Sequence, residues 1–221
     1  MRVHGGVAVI IPTVAGREAD LGRTTVAYET EPGVRVFPQY DHSTVGAGWT
    51  AGVERILAGQ RWPDDEDRAG PDDWQPEFVM CGNDDMWPSL GWLAPAIETI
   101  DAGQTPCPVM WNSRGDLESA GAWQVLKPDG SEVPWTPLCF FRLDEWQHFG
   151  PIPPWHYYSD NYFATASIHL LHRPIVVRHA FRFTHTWAQP GRKDMSSAEG
   201  REHGRLYKQF RDTCERNARP R

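Results

Sequence analysis

Five consecutive apolar residues, Val7-Ala-Val-Ile-Ile11, end abruptly at Pro12. A strand with one face in water alternates apolar and polar side chains, so an unbroken β-branched run belongs to a strand covered on both faces. That restricts the chain to layered folds with helices on either side of a sheet. The segments that follow keep to this plan. Glu18 to Glu29 carries Leu21, Thr25 and Tyr28 at helical spacing. Val34-Arg-Val-Phe37 predicts a second strand closed by Pro38. After a flexible turn at Gly46 to Gly48, the stretch Trp49 to Ala58 sets Val53, Ile56 and Leu57 on one helical face. Glu77 to Cys81 predicts a third strand, Leu90 to Ala102 a helix with Leu93, Ile97 and Ile100 in one stripe, and Cys107 to Trp111 a fourth strand. Such alternation predicts a doubly wound α/β sheet.

Beyond residue 111 the character changes. Ala122 to Trp135 alternates around Lys127-Pro-Asp-Gly130, a hairpin signal. Leu138 to Arg142 predicts a strand, Leu143 to Phe149 a short amphipathic piece, and Ser159 the N-cap of a helix from Asp160 to Leu171. Pro174 to Arg178 and Phe181 to Phe183 follow as two strands. The tail from Met195 is charged and helical, with few apolar anchors beyond Leu206, Tyr207 and Phe210, which predicts a surface helix or a frayed one. The expected organisation is an α/β half over 1–111, a mixed half over 112–194 and a helical tail over 195–221. Arg61 to Pro76, acidic and proline-rich, reads as a solvated loop.

A formal charge of −7 lacks the basic excess that supplies most nucleic-acid affinity. With no run long and apolar enough to span a bilayer, and no signal-peptide core after Met1, a cytoplasmic location is expected. The four cysteines form no C-x-x-C pair and read as reduced, buried residues. Eleven tryptophans suit either core filling or the lining of a carbohydrate or nucleobase pocket.

The chemically loaded stretch is Glu77-Phe-Val-Met-Cys-Gly-Asn-Asp-Asp-Met-Trp-Pro88. A buried strand that ends in Asn83-Asp84-Asp85 delivers adjacent carboxylates to the strand edge where open α/β sheets bind ligands. Paired carboxylates hold a hard divalent cation, and the cation holds a diphosphate. The same triplet also suits a polar turn that caps the helix beyond it.

Taken together, Val7-Ala-Val-Ile-Ile-Pro-Thr13, the glycine-rich segment Gly46 to Val53, and Phe78-Val-Met-Cys-Gly-Asn-Asp-Asp85 with Pro88 and Gly91-Trp-Leu93 resemble a GT-A glycosyltransferase. The nearest resemblance is to the family-two group of nucleotide-sugar-dependent enzymes. It implies a Rossmann-like mixed sheet with helices on both faces and a smaller, hairpin-rich acceptor-side region. It further implies transfer of a hexose from a nucleoside-diphosphate sugar to a hydroxyl, with inversion and with Mn2+ or Mg2+ as cofactor. By that resemblance Asp85 would contact the metal, Asp84 or Asn83 the ribose or donor sugar, and the loop from Pro12 and Thr13 through Arg17 the nucleotide. Asn83 stands where relatives often carry Asp, which removes one charge from the site.

The resemblance also implies Asp41 near the base, Arg192 near the diphosphate and His185 as a late metal ligand. It gives Asp160, at the start of a helix, the role of base, with Glu118 and Asp144 in reserve. Acid at a helix N-terminus also offsets the macrodipole, so the sequence leaves a purely structural Asp160 open. Trp111, Asn112, Trp155 and Tyr158 are the candidates for the acceptor, expected to be a protein or a soluble glycan. Two other readings stay open: a nucleotidyltransferase of similar fold, and a catalytically silent nucleotide- or sugar-binding module.

Overall fold

A computed structural model describes residues 5–40, 42–60, 74–125, 132–186 and 196–218, with the backbone alone at 123–125. Strand β1 (Gly6–Pro12) lies between β2 (Val34–Gln39) and β3 (Pro76–Cys81), parallel to both. Strand β9 (Cys139–Arg142) adds antiparallel to β3. Alternate residues of a strand face opposite sides, so each strand of this sheet serves two cores. Val7, Val9 and Ile11 enter the first, with Phe78, Met80 and Phe140 from the neighbouring strands. Ile10 enters the second, with Val79, Cys81, Cys139 and Phe141.

The first core is closed by α1 (Glu18–Tyr28), α3 (Leu93–Asp101) and a second sheet. That sheet has the order β4 (Met86–Pro88), β10 (Ile175–His185), β5 (Thr105–Asn112), β6 (Leu117–Ser119), with only β10 and β5 parallel. Trp92, fully buried, touches Phe140 of one sheet and Phe181 and Phe183 of the other. The second core is covered by α2 (Val45–Leu57), α4 (Trp146–Phe149), α5 (Ser159–His169) and α6 (Ala198–Ala218). Helices thus lie on both faces, as the run at Val7 requires. The remaining pair, β7 (Trp123–Val125) and β8 (Glu132–Pro134), is antiparallel and flanks the expected hairpin turn, whose own residues lie outside those described.

Four local expectations change. Gly46 to Gly48 are not a turn but the first residues of α2, which Thr44 caps by accepting the Ala47 N–H at 3.1 Å. Glycine serves closeness here: a Cβ at Gly52 would stand 2.4 Å from Ile10 Cγ2, and one at Gly46 2.1 Å from the Pro153 carbonyl oxygen. Gly52→Val is therefore expected to overpack the contact of α2 with β1. A loss of about 1–3 kcal/mol, read from urea unfolding midpoints, is the expected scale.

Strand β2 runs through Pro38, which is tolerated because β2 is a sheet edge. The two late strands are one, β10, whose register slips between Arg178 and Arg182. Ser159 does not cap α5. It is the first helical residue, after Tyr158 at φ 71°, and its hydroxyl donates to the Trp155 carbonyl at 2.9 Å.

The tail does not fray. In α6 Tyr207 and Cys214 are buried, Tyr207 stacks on Tyr158, and Phe210 sits 4.4 Å from the ring of Tyr162. All four cysteines are free and buried. Burial pushes the Cys107 thiol up to about 12 and those of Cys81 and Cys139 well above the usual range. No helix among the described residues is long and apolar enough to cross a membrane.

Candidate active site

Strands β1 and β3 end side by side, and Gly82 N–H donates to the Ile10 carbonyl at 3.0 Å. The chain then turns out of the sheet at its C-terminal edge, the place where α/β sheets hold ligands. Asp84, 7% exposed, accepts the Thr13 hydroxyl at 2.9 Å and lies 3.1 Å from Arg17 Nε. Its backbone carbonyl accepts the Thr24 hydroxyl at 3.0 Å. Burial pushes the Asp84 carboxyl up, Thr13 and Arg17 pull it back, and Asp85 and Asp20 push it up again, for a net rise. Asp84 therefore ties the loop after β1 to the loop after β3. Pro12, at the end of β1, packs under Gly48 of α2.

Asp85, also 7% exposed, faces the other sheet. Its Oδ2 is 3.4 Å from Nε2 of His185, the last residue of β10, and its carbonyl accepts the Thr186 N–H at 3.0 Å. His185 Nδ1 is 3.3 Å from Glu118 Oε2 on β6. Burial of the ring draws its pKa down, but the hydrogen bond to Asp85 and the charges of Asp85 and Glu118 outweigh this, so it is raised. Among the described residues no three His, Cys, Asp or Glu side chains form a ready metal cage. Asp85 and His185 supply two donors.

Asn83 opens instead on a cleft of about 240 Å³ walled by Val45, Trp49, Pro137, Tyr158 and Asp160. Trp49 fixes that wall by donating its indole N–H to the Gly82 carbonyl at 2.9 Å. Asp160, in the first turn of α5, accepts the Asn161 N–H at 2.8 Å and the Trp135 indole N–H at 2.7 Å. Burial pushes its carboxyl up against the opposing pull of those hydrogen bonds. Each carboxylate oxygen has two lone pairs, so both retain room for a further donor.

The other sequence candidates are dispersed. Tyr158 lines the cleft and stacks on Tyr207. Trp155, 8% exposed, packs edge-on to Tyr162 in the second core. Trp111 lies on β5 with a buried indole N–H that has no partner among the described residues. Asn112 uses both ends of its amide inside the β5–β6 turn. Asp144 is exposed on the 3-10 turn Leu143–Glu145. Asp41 and Arg192 lie outside the described residues. Sequence reasoning missed Trp135 as the partner of Asp160 and Glu118 as the partner of His185. Both join distant segments, and neither carries a local pattern.

No protein-family model and no curated protein sequence matches the chain. Among solved structures, GalNAc-T7 with UDP, GalNAc and Mn2+ aligns at a TM-score of 0.56 and 12% identity, over 86% of this chain and 45% of that one. TarS of S. aureus aligns at a TM-score of 0.45 and 12% identity, over 82% of this chain and 36% of that one. The present chain thus spans less than half the length of either. At such identity a likeness carries the architecture alone, and that architecture, shared with the glycosyltransferase GalNAc-T7, is the GT-A fold.

Proposed function

We propose that the chain is a metal-dependent glycosyltransferase that moves a hexose from a nucleoside-diphosphate sugar to an acceptor hydroxyl, with inversion. The observation that carries this reading is the approach of Asp85 to His185 beside a cleft that Asn83, of the same motif, shares with Asp160. A carboxylate and an imidazole nitrogen are an acceptable donor pair for Mn2+, with Mg2+ better suited to the carboxylate alone. Their 3.4 Å separation is near the roughly 3 Å expected of neighbouring donors on an octahedral ion with bonds of about 2.1 Å. The donor set therefore fits the cofactor, with the remaining positions left to diphosphate oxygens and water. When bound, such a cation neutralises charge that develops on a departing diphosphate.

The chain's own residues take the other parts. Arg17 and Thr13, held against Asp84, present a polar edge to the nucleotide beside Pro12. Asn83 or Asp84 would contact the ribose or the sugar, and Asp41 and Arg192 are assigned to the base and the diphosphate by resemblance. Asp160 accepts the proton of the acceptor hydroxyl as its oxygen bonds to the anomeric carbon and the diphosphate leaves with the bonding pair. Burial suits Asp160 to this task, because a raised pKa makes it a stronger base. Tyr158 offers an aromatic face to an acceptor sugar, and a protein or soluble glycan is the acceptor class.

Calorimetry with UDP, GDP and TDP, with and without Mn2+, tests the donor site. One nucleotide is expected to bind in a Mn2+-dependent way, with slow hydrolysis of its sugar conjugate. Nucleotide binding without any hydrolysis would instead favour a silent binding module, which the missing charge at Asn83 supports. No binding of any nucleotide in Mn2+ overturns both.

A further inference from the structure

We infer that Glu118 is a positioning residue that fixes the aim of His185 and thereby sets the affinity of the Asp85–His185 pair for a divalent cation. The inference rests on the donor site proposed above. A neutral imidazole carries one N–H, and the partner of one nitrogen decides which nitrogen is bare. Nδ1 faces the Glu118 carboxylate at 3.3 Å. A carboxylate only accepts, so Nδ1 carries the hydrogen and donates it. Nε2 likewise faces a carboxylate, Asp85 Oδ2 at 3.4 Å, so a cation bound to Asp85 would take the place of the Nε2 hydrogen while Glu118 keeps the one on Nδ1. Histidines that ligate metals are characteristically held in this way, and the held ring is both better aimed and more basic.

The local structure around Glu118 is built for this contact. Asn112 Oδ1 accepts the N–H groups of Arg114 and Asp116 at 2.9 and 2.8 Å, and its Nδ2 donates to Asp116 Oδ2 at 3.0 Å. The turn so closed passes through Gly115 at φ 85° and returns the chain as β6, with Leu117 opposite Trp111. In turn Asn112 stands opposite His185 on β10. The edge strand is inside out: Leu117 is 54% exposed, whereas the Glu118 side chain is only 16% exposed. Turning a carboxylate inward and a leucine outward on an exposed hairpin costs free energy. The contact with His185 is what this inversion provides.

The test uses Mn2+ alone, titrated into the full chain and followed by the electron paramagnetic resonance of the free ion. Wild type is expected to bind Mn2+. Glu118→Ala is expected to weaken Mn2+ binding by about 10–100-fold. Glu118→Gln, whose amide oxygen still accepts from Nδ1, is expected to restore part of the loss and lie between the two in affinity. Mn2+ binding by wild type with equal affinity in Glu118→Ala overturns this inference alone. Absence of Mn2+ binding by wild type overturns the donor-site reading and this inference with it.

Discussion

Asp85→Asn is expected to remove the Mn2+ dependence of nucleotide binding while leaving the metal-free protein folded. The substitution keeps the shape of the side chain and one acceptor oxygen, but deletes the charge that makes it a hard ligand. Removal of a group that merely supports a ligand lowers metal affinity by roughly 10–100-fold, so loss of the ligand's own charge should exceed the lower end of that range. Calorimetry should show the nucleotide's affinity in Mn2+ falling to its value without the ion, and donor-sugar hydrolysis should fall with it. The unfolding midpoint without metal should stay close to that of wild type, because the Asp85 backbone carbonyl keeps the Thr186 N–H. Unchanged nucleotide affinity in Mn2+ would remove Asp85 from the site.

Asp160→Asn separates chemistry from binding. A positioned general base contributes about 10²–10⁴-fold, so kcat should fall by that factor while the donor KM holds. Burial raises the Asp160 pKa. The wild-type rate should therefore fall with decreasing pH at a higher pH than an ordinary carboxylate would set, and the variant should lack that limb. Stability moves the opposite way. A carboxyl whose pKa is raised by folding adds stability below its unfolded pKa, and that stability is lost as pH rises through the folded value. At neutral pH the charged Asp160 is a cost the Asn side chain avoids, but the Asn NH2 cannot accept the second of the Asn161 and Trp135 N–H groups. The two effects oppose, so the variant should melt near or somewhat below wild type. Equal kcat in the two proteins would return Asp160 to a structural role at the helix N-terminus.

The α/β layering was legible because it rests on local pattern. The unbroken run at Val7 to Ile11 could only be a strand covered twice, and it supplies residues to both cores. The same logic misled at Gly46 to Gly48, where glycine usually marks flexibility. In the folded protein these residues let a helix approach β1 and the Pro153 loop, which no single-segment reading reveals. The tail was underrated because charged residues dominate its pattern, yet its sparse anchors Tyr207 and Cys214 are buried.

In the candidate site, sequence resemblance singled out Thr13, Arg17, Asp84, Asp85 and His185. The fold brings the first three together and the last two together. The bonds from Trp135 to Asp160 and between His185 and Glu118 were invisible, since each is made by tertiary packing between segments of unrelated pattern.

The helix α6 reaches the cleft from outside. The His156 N–H donates to Nδ1 of His203, a Cβ at Gly204 would stand 3.1 Å from the Tyr158 hydroxyl, and Tyr207 stacks on the Tyr158 ring. Domains fold from their N-terminal parts as they are synthesised. A growing chain can therefore join Thr13 to Asp84 before residue 203 exists, while Tyr158 still lacks Tyr207. Translation thus imposes an order of assembly: the join between the loops at Thr13 and Asp84 can form while the chain is still growing, and the Tyr158 wall of the cleft must wait for α6.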